Sequence, residues 1–197
     1  MKILIRFSLS VAILIIAINP TLMSSCSLNS NEYTPTAFIK TNTLITVKSP
    51  KMTTSEYIQK YYVLAQTEQI LFGVPASITL AQGILESNSG NARIARNNNN
   101  HFGIKCFSTK CKKGHCTNHD DDHHKDFFRK YASVNQSYRA HSILLKGGRY
   151  KVLHQYDKDD YVAWSFGLQV TGYATDVRYP QKLIKIIESY ELHEYDL

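Results

Sequence analysis

The sequence predicts an α+β domain: a mainly helical body with one small β-hairpin inserted near its middle and a cleft between the two parts. Three observations carry that expectation. Apolar residues recur at helical spacing from Thr53 onward and again after Ser133, start and stop residues bracket both runs, and the stretch between them turns short, aromatic and rich in Cys and His. A chain of 197 residues that is 43% apolar holds enough material for one core, so a single domain is expected behind the N-terminal leader.

The leader comes first. Lys2 and Arg6 precede the apolar run "FSLSVAILIIAI", and Ser24 and Ser25 lead to Cys26. A charged start, an apolar stretch of about a dozen residues and a small-residue exit form the pattern of an export signal over 1–26. The run is short for a membrane span of ~20 residues. Cys26 after small residues resembles a bacterial lipoprotein acceptor, with Met23 standing where such signals favour Leu. Lipidation at Cys26 and ordinary cleavage nearby both stay open. Residues 27–52 are rich in Ser, Thr and Asn with little periodicity, and read as a linker ahead of a domain spanning 53–197.

Each element of the domain has its own signal. Thr53 and Glu56 in "TTSE" form a capping box for a helix carrying Ile58, Tyr62, Ala65 and Phe72, and Gly73 ends it. Pro75 opens a second helix with Ile78, Ala81 and Leu85 at i, i+3 and i+7, closed near Gly90. "HFGIKC" (101–106) and "DFFRKYAS" (126–133) read as the two strands of the hairpin. Ser133 and Gln136 start another helix, Asp159 or Asp160 caps the next, and Gly172 stops it. Pro180 begins the last helix, expected to bury Leu183, Ile187 and Tyr190, while Trp164 belongs to the core.

Composition narrows the partners. The formal charge of +7 falls to +5 once Lys2 and Arg6 leave with the leader, which suits an anionic polymer such as a cell wall or a membrane surface. Nucleic acid fits poorly, because the basic residues are scattered and no aromatic RNA motif is present. Cys106, Cys111 and Cys116 lie within eleven residues, and in an exported chain close cysteines more often pair than bind metal. Cys111 with Cys116 is the first choice of bridge. His115, His119, His123 and His124 make zinc worth weighing, but C-x4-C-x4-C matches no standard zinc spacing, so no metal and no cofactor is expected.

Glu86 holds the chemistry. It follows Ile84 and Leu85 in the last turn of its helix, where unpaired carbonyls and apolar neighbours both disfavour negative charge. A carboxyl kept protonated near neutral pH can protonate a leaving oxygen, the task of the general acid in a glycosidase. A surface Glu at a helix end is the plainer alternative.

The wider pattern weighs against that plainer reading. "LAQGILESNSGNARIA", "NNNNHFGIKC", "FFRKYASVNQSYRAHSILL" and "WSFGLQVTGYATDVRYPQKLIKIIESY" resemble, in order, the endo-β-N-acetylglucosaminidases of glycoside hydrolase family 73 from about Thr53 onward. The resemblance implies a lysozyme-like fold with a glycan cleft, Glu86 as catalytic acid, and Tyr173 of "GYATD" as the tyrosine that positions or stabilises the reacting sugar. It makes Asn100, Phe102, Tyr131 and Tyr179 candidate cleft walls, since aromatic faces suit sugar rings and amides suit N-acetyl groups. It also implies an acidic residue on the hairpin, where Asp120, Asp121, Asp122 and Asp126 compete; Asp120 is preferred as nearest the end of the first strand. The expected substrate is peptidoglycan, cut after N-acetylglucosamine by an envelope-located monomer. The alternatives are a muramidase or lytic transglycosylase of the same fold, or a non-catalytic wall-binding module.

Overall fold

The computed structural model describes residues 50–106, 116–119 and 126–197, with the side chains of 117–119 and 126 excepted. The leader, most of the linker, Cys111 and Asp120 to Asp122 lie outside the described residues.

Helix α1 (Thr54–Phe72) begins with the capping box expected: Thr53 accepts from the Glu56 amide, and Glu56 accepts from the Thr53 amide at 2.7 Å. It ends at Gly73, whose φ of 77° is the left-handed conformation that glycine adopts without steric cost. Helix α2 (Ala76–Ser87) is the centre of the domain that begins at α1. Ile78, Leu80, Ala81 and Ile84 are buried, and so are the polar Ser77, Thr79 and Gln82. A helix enclosed on all sides has no solvent face to keep polar. Glu86 is the single residue of α2 that is exposed. The helix closes at Asn88, in the left-handed region at φ 50°, two residues before Gly90.

Around α2 pack α1, α5 (Tyr161–Val170), α6 (Tyr179–Ser189) and a C-terminal 3₁₀ turn, Leu192–Tyr195. Short α3 (Arg93–Asn98) leads to the hairpin, and α4 (Val134–Lys146) follows it and packs on α1. Ser133 caps α4 through the Gln136 amide, and Asp160 caps α5 through the Ala163 amide at 2.8 Å. Trp164, Tyr138, Leu153, Leu168, Leu183 and Ile187 fill the core. Tyr190, expected inside with Leu183 and Ile187, is 40% exposed, because α6 has ended and the chain there turns outward at the left-handed Glu191.

The hairpin differs in one strand. Strand β1 is Cys116–His119, paired antiparallel with β2, Asp126–Arg129, in the register Cys116 to Arg129 and His119 to Asp126. The segment 101–106 supplies only a bridge from Lys105 to Phe128. The reason is local: Gly103 sits at φ 60°, and the Asn100 side chain binds both the amide and the carbonyl of Ile104, folding the segment into a loop.

The disulfide also differs. Cys106 and Cys116 are bridged, with Cα atoms 6.3 Å apart, in place of Cys111 with Cys116. The Cys106 amide donates to the Phe127 carbonyl while Cys116 pairs with Arg129, so β2 brings these two cysteines into bonding range.

Candidate active site

A cleft of about 960 Å³ opens where α2 ends. Its floor is Leu85 and Glu86; its sides are Phe102 to Lys105, Ile143 and Leu144 at the end of α4 with Gly147 to Tyr150 after it, the segment Tyr173 to Asp176, and Tyr179 with Lys182 of α6. That volume is at the large end for ligand pockets and leaves room for several sugar rings.

Glu86 is reachable from the cleft yet crowded by protein on the sides that face away from it. The crowding removes water from the carboxylate and pushes its pKa above the ordinary 4.5, against the Tyr179 hydroxyl and the Lys182 charge, which pull it down. Tyr179 donates to Glu86 Oε1 at 2.9 Å. Lys182 is shared with Asp176, to which it donates, so its charge is partly spent beside the cleft.

Tyr173 stands next to these groups. Its ring stacks on Tyr179 with centroids 5.8 Å apart and meets Tyr150 edge-on at 6.0 Å. Burial, then the nearby Glu86 charge, raises its pKa well above that of free tyrosine, so its hydroxyl stays a donor at physiological pH. Arg149 anchors the turn that presents it, donating to the Tyr150 hydroxyl at 2.8 Å and to the Gly172 carbonyl at 2.9 Å. Gly172, at φ 74°, is the stop signal expected after α5.

Of the other residues singled out from the sequence, Tyr179 lines the cleft. Phe102 lines it too but is only 3% exposed, being stacked on His141 and edge-on to Tyr138. Asn100 is 2% exposed, and its amide is committed to the Ile104 and Arg129 backbone, so it shapes the loop behind the cleft. Tyr131 is not among the lining residues, and its amide holds the Asn98 carbonyl at 2.8 Å. Asp126 pairs through its backbone in β2, and Asp120 to Asp122 lie outside the described residues.

Arg149, Asp176 and Lys182 were not legible as site residues. Lys182 had a faint signal, since i, i+3 spacing puts it on the face of α6 that carries Tyr179.

A carboxyl with a raised pKa at the floor of a long open cleft, beside two protonated tyrosines, can deliver a proton to a bridging oxygen. With the helical body and the hairpin beside it, this is the arrangement of a lysozyme-like glycosidase. The chain belongs to the glucosaminidase family, described as mannosyl-glycoprotein endo-beta-N-acetylglucosaminidase, which matches residues 62–192. It is 35% identical over 151 residues to exo-glucosaminidase LytG of Bacillus subtilis, covering 70% of this chain and 48% of that one. It is similar in structure to the catalytic domain of the autolysin Auto from Listeria monocytogenes (27% identity, TM-score 0.61, 77% of this chain and 92% of that). It is likewise similar to the glycoside hydrolase domain of FlgJ from Salmonella typhimurium (29% identity, TM-score 0.58, 73% and 91%). The chain spans about half or less of the length of the curated relatives it matches.

Proposed function

We propose that this glycosidase hydrolyses peptidoglycan at the β-1,4 bond after N-acetylglucosamine, with Glu86 as general acid. The observation that carries the reading is that Glu86 is the one exposed residue of a helix otherwise buried or, at Leu85, half-buried, and that it is exposed at the cleft. Tyr173 is the residue that positions or stabilises the reacting sugar, and its ring forms a wall with Tyr179. Lys105, Arg149 and Lys182 around the cleft suit the carboxylates of a wall glycan and its peptides. Asp120 is the proposed second carboxylate. Residues 1–26 are proposed as an export signal and 27–52 as a spacer, with Cys26 as lipid acceptor; among the described residues no helix is long and apolar enough to cross a membrane. The relatives named as an exo-glucosaminidase and as autolysins support an envelope location.

Glu86→Gln tests the central claim. The amide keeps an oxygen to accept from Tyr179 but supplies no proton, so activity on purified peptidoglycan should fall 10²-fold or more. In the wild type, activity should decline as pH rises through a pKa above 4.5. Mass spectrometry of the products reads the bond: reducing-end N-acetylglucosamine supports the assignment, while reducing-end muramic acid or an anhydro sugar identifies a muramidase or transglycosylase. Release of single sugars in place of longer fragments would mark exo attack.

A further inference from the structure

We propose that His141 and Gln82 are positioning residues for the acid: the chain His141–Gln82–Tyr179 locks the single hydroxyl hydrogen of Tyr179 onto Glu86. The inference rests on Glu86 being the general acid. His141 Nε2 lies 2.9 Å from Gln82 Oε1, Gln82 Nε2 donates to the Tyr179 oxygen at 3.0 Å, and Tyr179 donates to Glu86 Oε1 at 2.9 Å. All three residues behind Glu86 are buried: His141 and Gln82 completely, Tyr179 to 3% exposure.

The direction of the chain follows from counting hydrogens. A tyrosine hydroxyl has one hydrogen to give, and it goes to whichever acceptor is unopposed. If the Gln82 amide were turned over, its oxygen would face Tyr179 and compete for that hydrogen, and Glu86 would lose its donor. His141 prevents the turn. With its hydrogen on Nε2, it demands the amide oxygen and thereby aims the amide NH₂ at Tyr179.

The surroundings select that tautomer. Burial lowers the His141 pKa to about 3, so the ring is neutral and carries one N–H. Its Nδ1 is buried with no hydrogen-bond partner. A bare lone pair there costs less than an orphaned buried N–H, which folded proteins rarely keep. Phe102 stacks on the imidazole at 4.0 Å and 15°, and Tyr173 meets it edge-on at 6.3 Å, so the ring has little freedom to turn.

The consequence lies at the acid. With Oε1 engaged by Tyr179, the proton to be donated resides on Oε2. After transfer, the same hydroxyl stabilises the carboxylate that remains. The other groups facing Glu86 are Lys182 with its partner Asp176, Tyr173, and Lys105 and Arg149 on the cleft walls. Lys182 and the Tyr179 hydroxyl pull the Glu86 pKa in the same direction, down, against the rise that burial imposes.

Two measurements decide. ¹⁵N NMR of histidine-labelled chain, with the His141 signals assigned by their loss in His141→Phe, should show a neutral Nε2–H tautomer from pH 5 to 8. An Nδ1–H tautomer or an imidazolium would overturn the proposal, with no reference to activity. The pH profile of kcat is the second. Tyr179→Phe should move the alkaline limb up by about one pH unit, since a donor to the charged form is lost. His141→Phe, which frees the Gln82 amide to turn, should move it in the same direction, and the double variant should move it no further than Tyr179→Phe alone. A wild-type profile in folded His141→Phe, or additive shifts in the double variant, would reduce His141 to a packing residue. If His141→Phe does not fold, the His141 signals are assigned in the wild type by their contacts with the Phe102 ring, and the tautomer and Tyr179→Phe still judge the lock. An active Glu86→Gln would instead remove the functional reading, leaving the tautomer measurement to stand or fall by itself.

Discussion

Gly83 lies inside α2, one residue after Gln82 and three before Glu86, and its replacement by alanine sets two known effects against each other. Alanine is the better helix former, by about 1 kcal/mol. Yet a Cβ at this position would sit 2.5 Å from the Tyr57 hydroxyl oxygen and 3.3 Å from that of Tyr138. Tyr57 has no easy retreat. Its hydroxyl is hydrogen-bonded to His101 Nδ1 and to Tyr138, each at 2.9 Å, and its ring packs against Tyr61 and His101. Overpacking costs about 1–3 kcal/mol, and each buried hydrogen bond broken by a shift of Tyr57 costs about 1–3 kcal/mol more. The steric terms exceed the propensity gain, so Gly83→Ala should destabilise the chain by about 2–4 kcal/mol. Thermal unfolding followed by circular dichroism should show Tm lowered on the order of 10 °C. Adding Tyr57→Phe removes the clashing oxygen, so the two changes together should cost less than their sum. A Gly83→Ala chain as stable as the wild type would show that the Tyr57 cluster yields freely and that close approach is not why glycine stands there.

Three further expectations concern charge and covalent structure. The folded-state pKa of Glu86 is raised, so its ionisation weakens the fold as pH climbs above the ordinary 4.5; Glu86→Gln should therefore be the more stable protein at pH 7, with the difference fading below pH 4. Equal melting curves at pH 7 would mean the carboxylate is fully hydrated in the open cleft. Digestion without reductant should release one peptide pair joining Cys106 to Cys116; a Cys111–Cys116 pair would contradict the fold of the hairpin. Cys116→Ser opens a covalent loop of sequence separation 10, worth about 2–3 kcal/mol by chain entropy, and should lower the denaturant midpoint accordingly.

Helix boundaries were legible in the sequence because their causes are local. Thr53 with Glu56, Gly73, Ser133 and Asp160 act through backbone groups three or four residues away, and each stands in the structure where those contacts require. The exposed acid on a buried helix was legible as well, since Glu86 interrupts an apolar run whose surroundings oppose its charge. The bridge was not: Cys111 is the nearer partner of Cys116 along the chain, and only the pairing of β2 with both flanking segments brings Cys106 to it. Asn100 likewise looked like a residue for an N-acetyl group until the loop consumed its amide. The support behind Glu86 was the least legible of all. Gln82 is 59 positions from His141 and 97 from Tyr179, and a hydrogen bond across such a distance leaves no periodicity, cap or spacing behind in the sequence. It exists because α2 is enclosed by helices from the rest of the chain, so the buried Gln82 amide meets its partners only on elements distant in sequence.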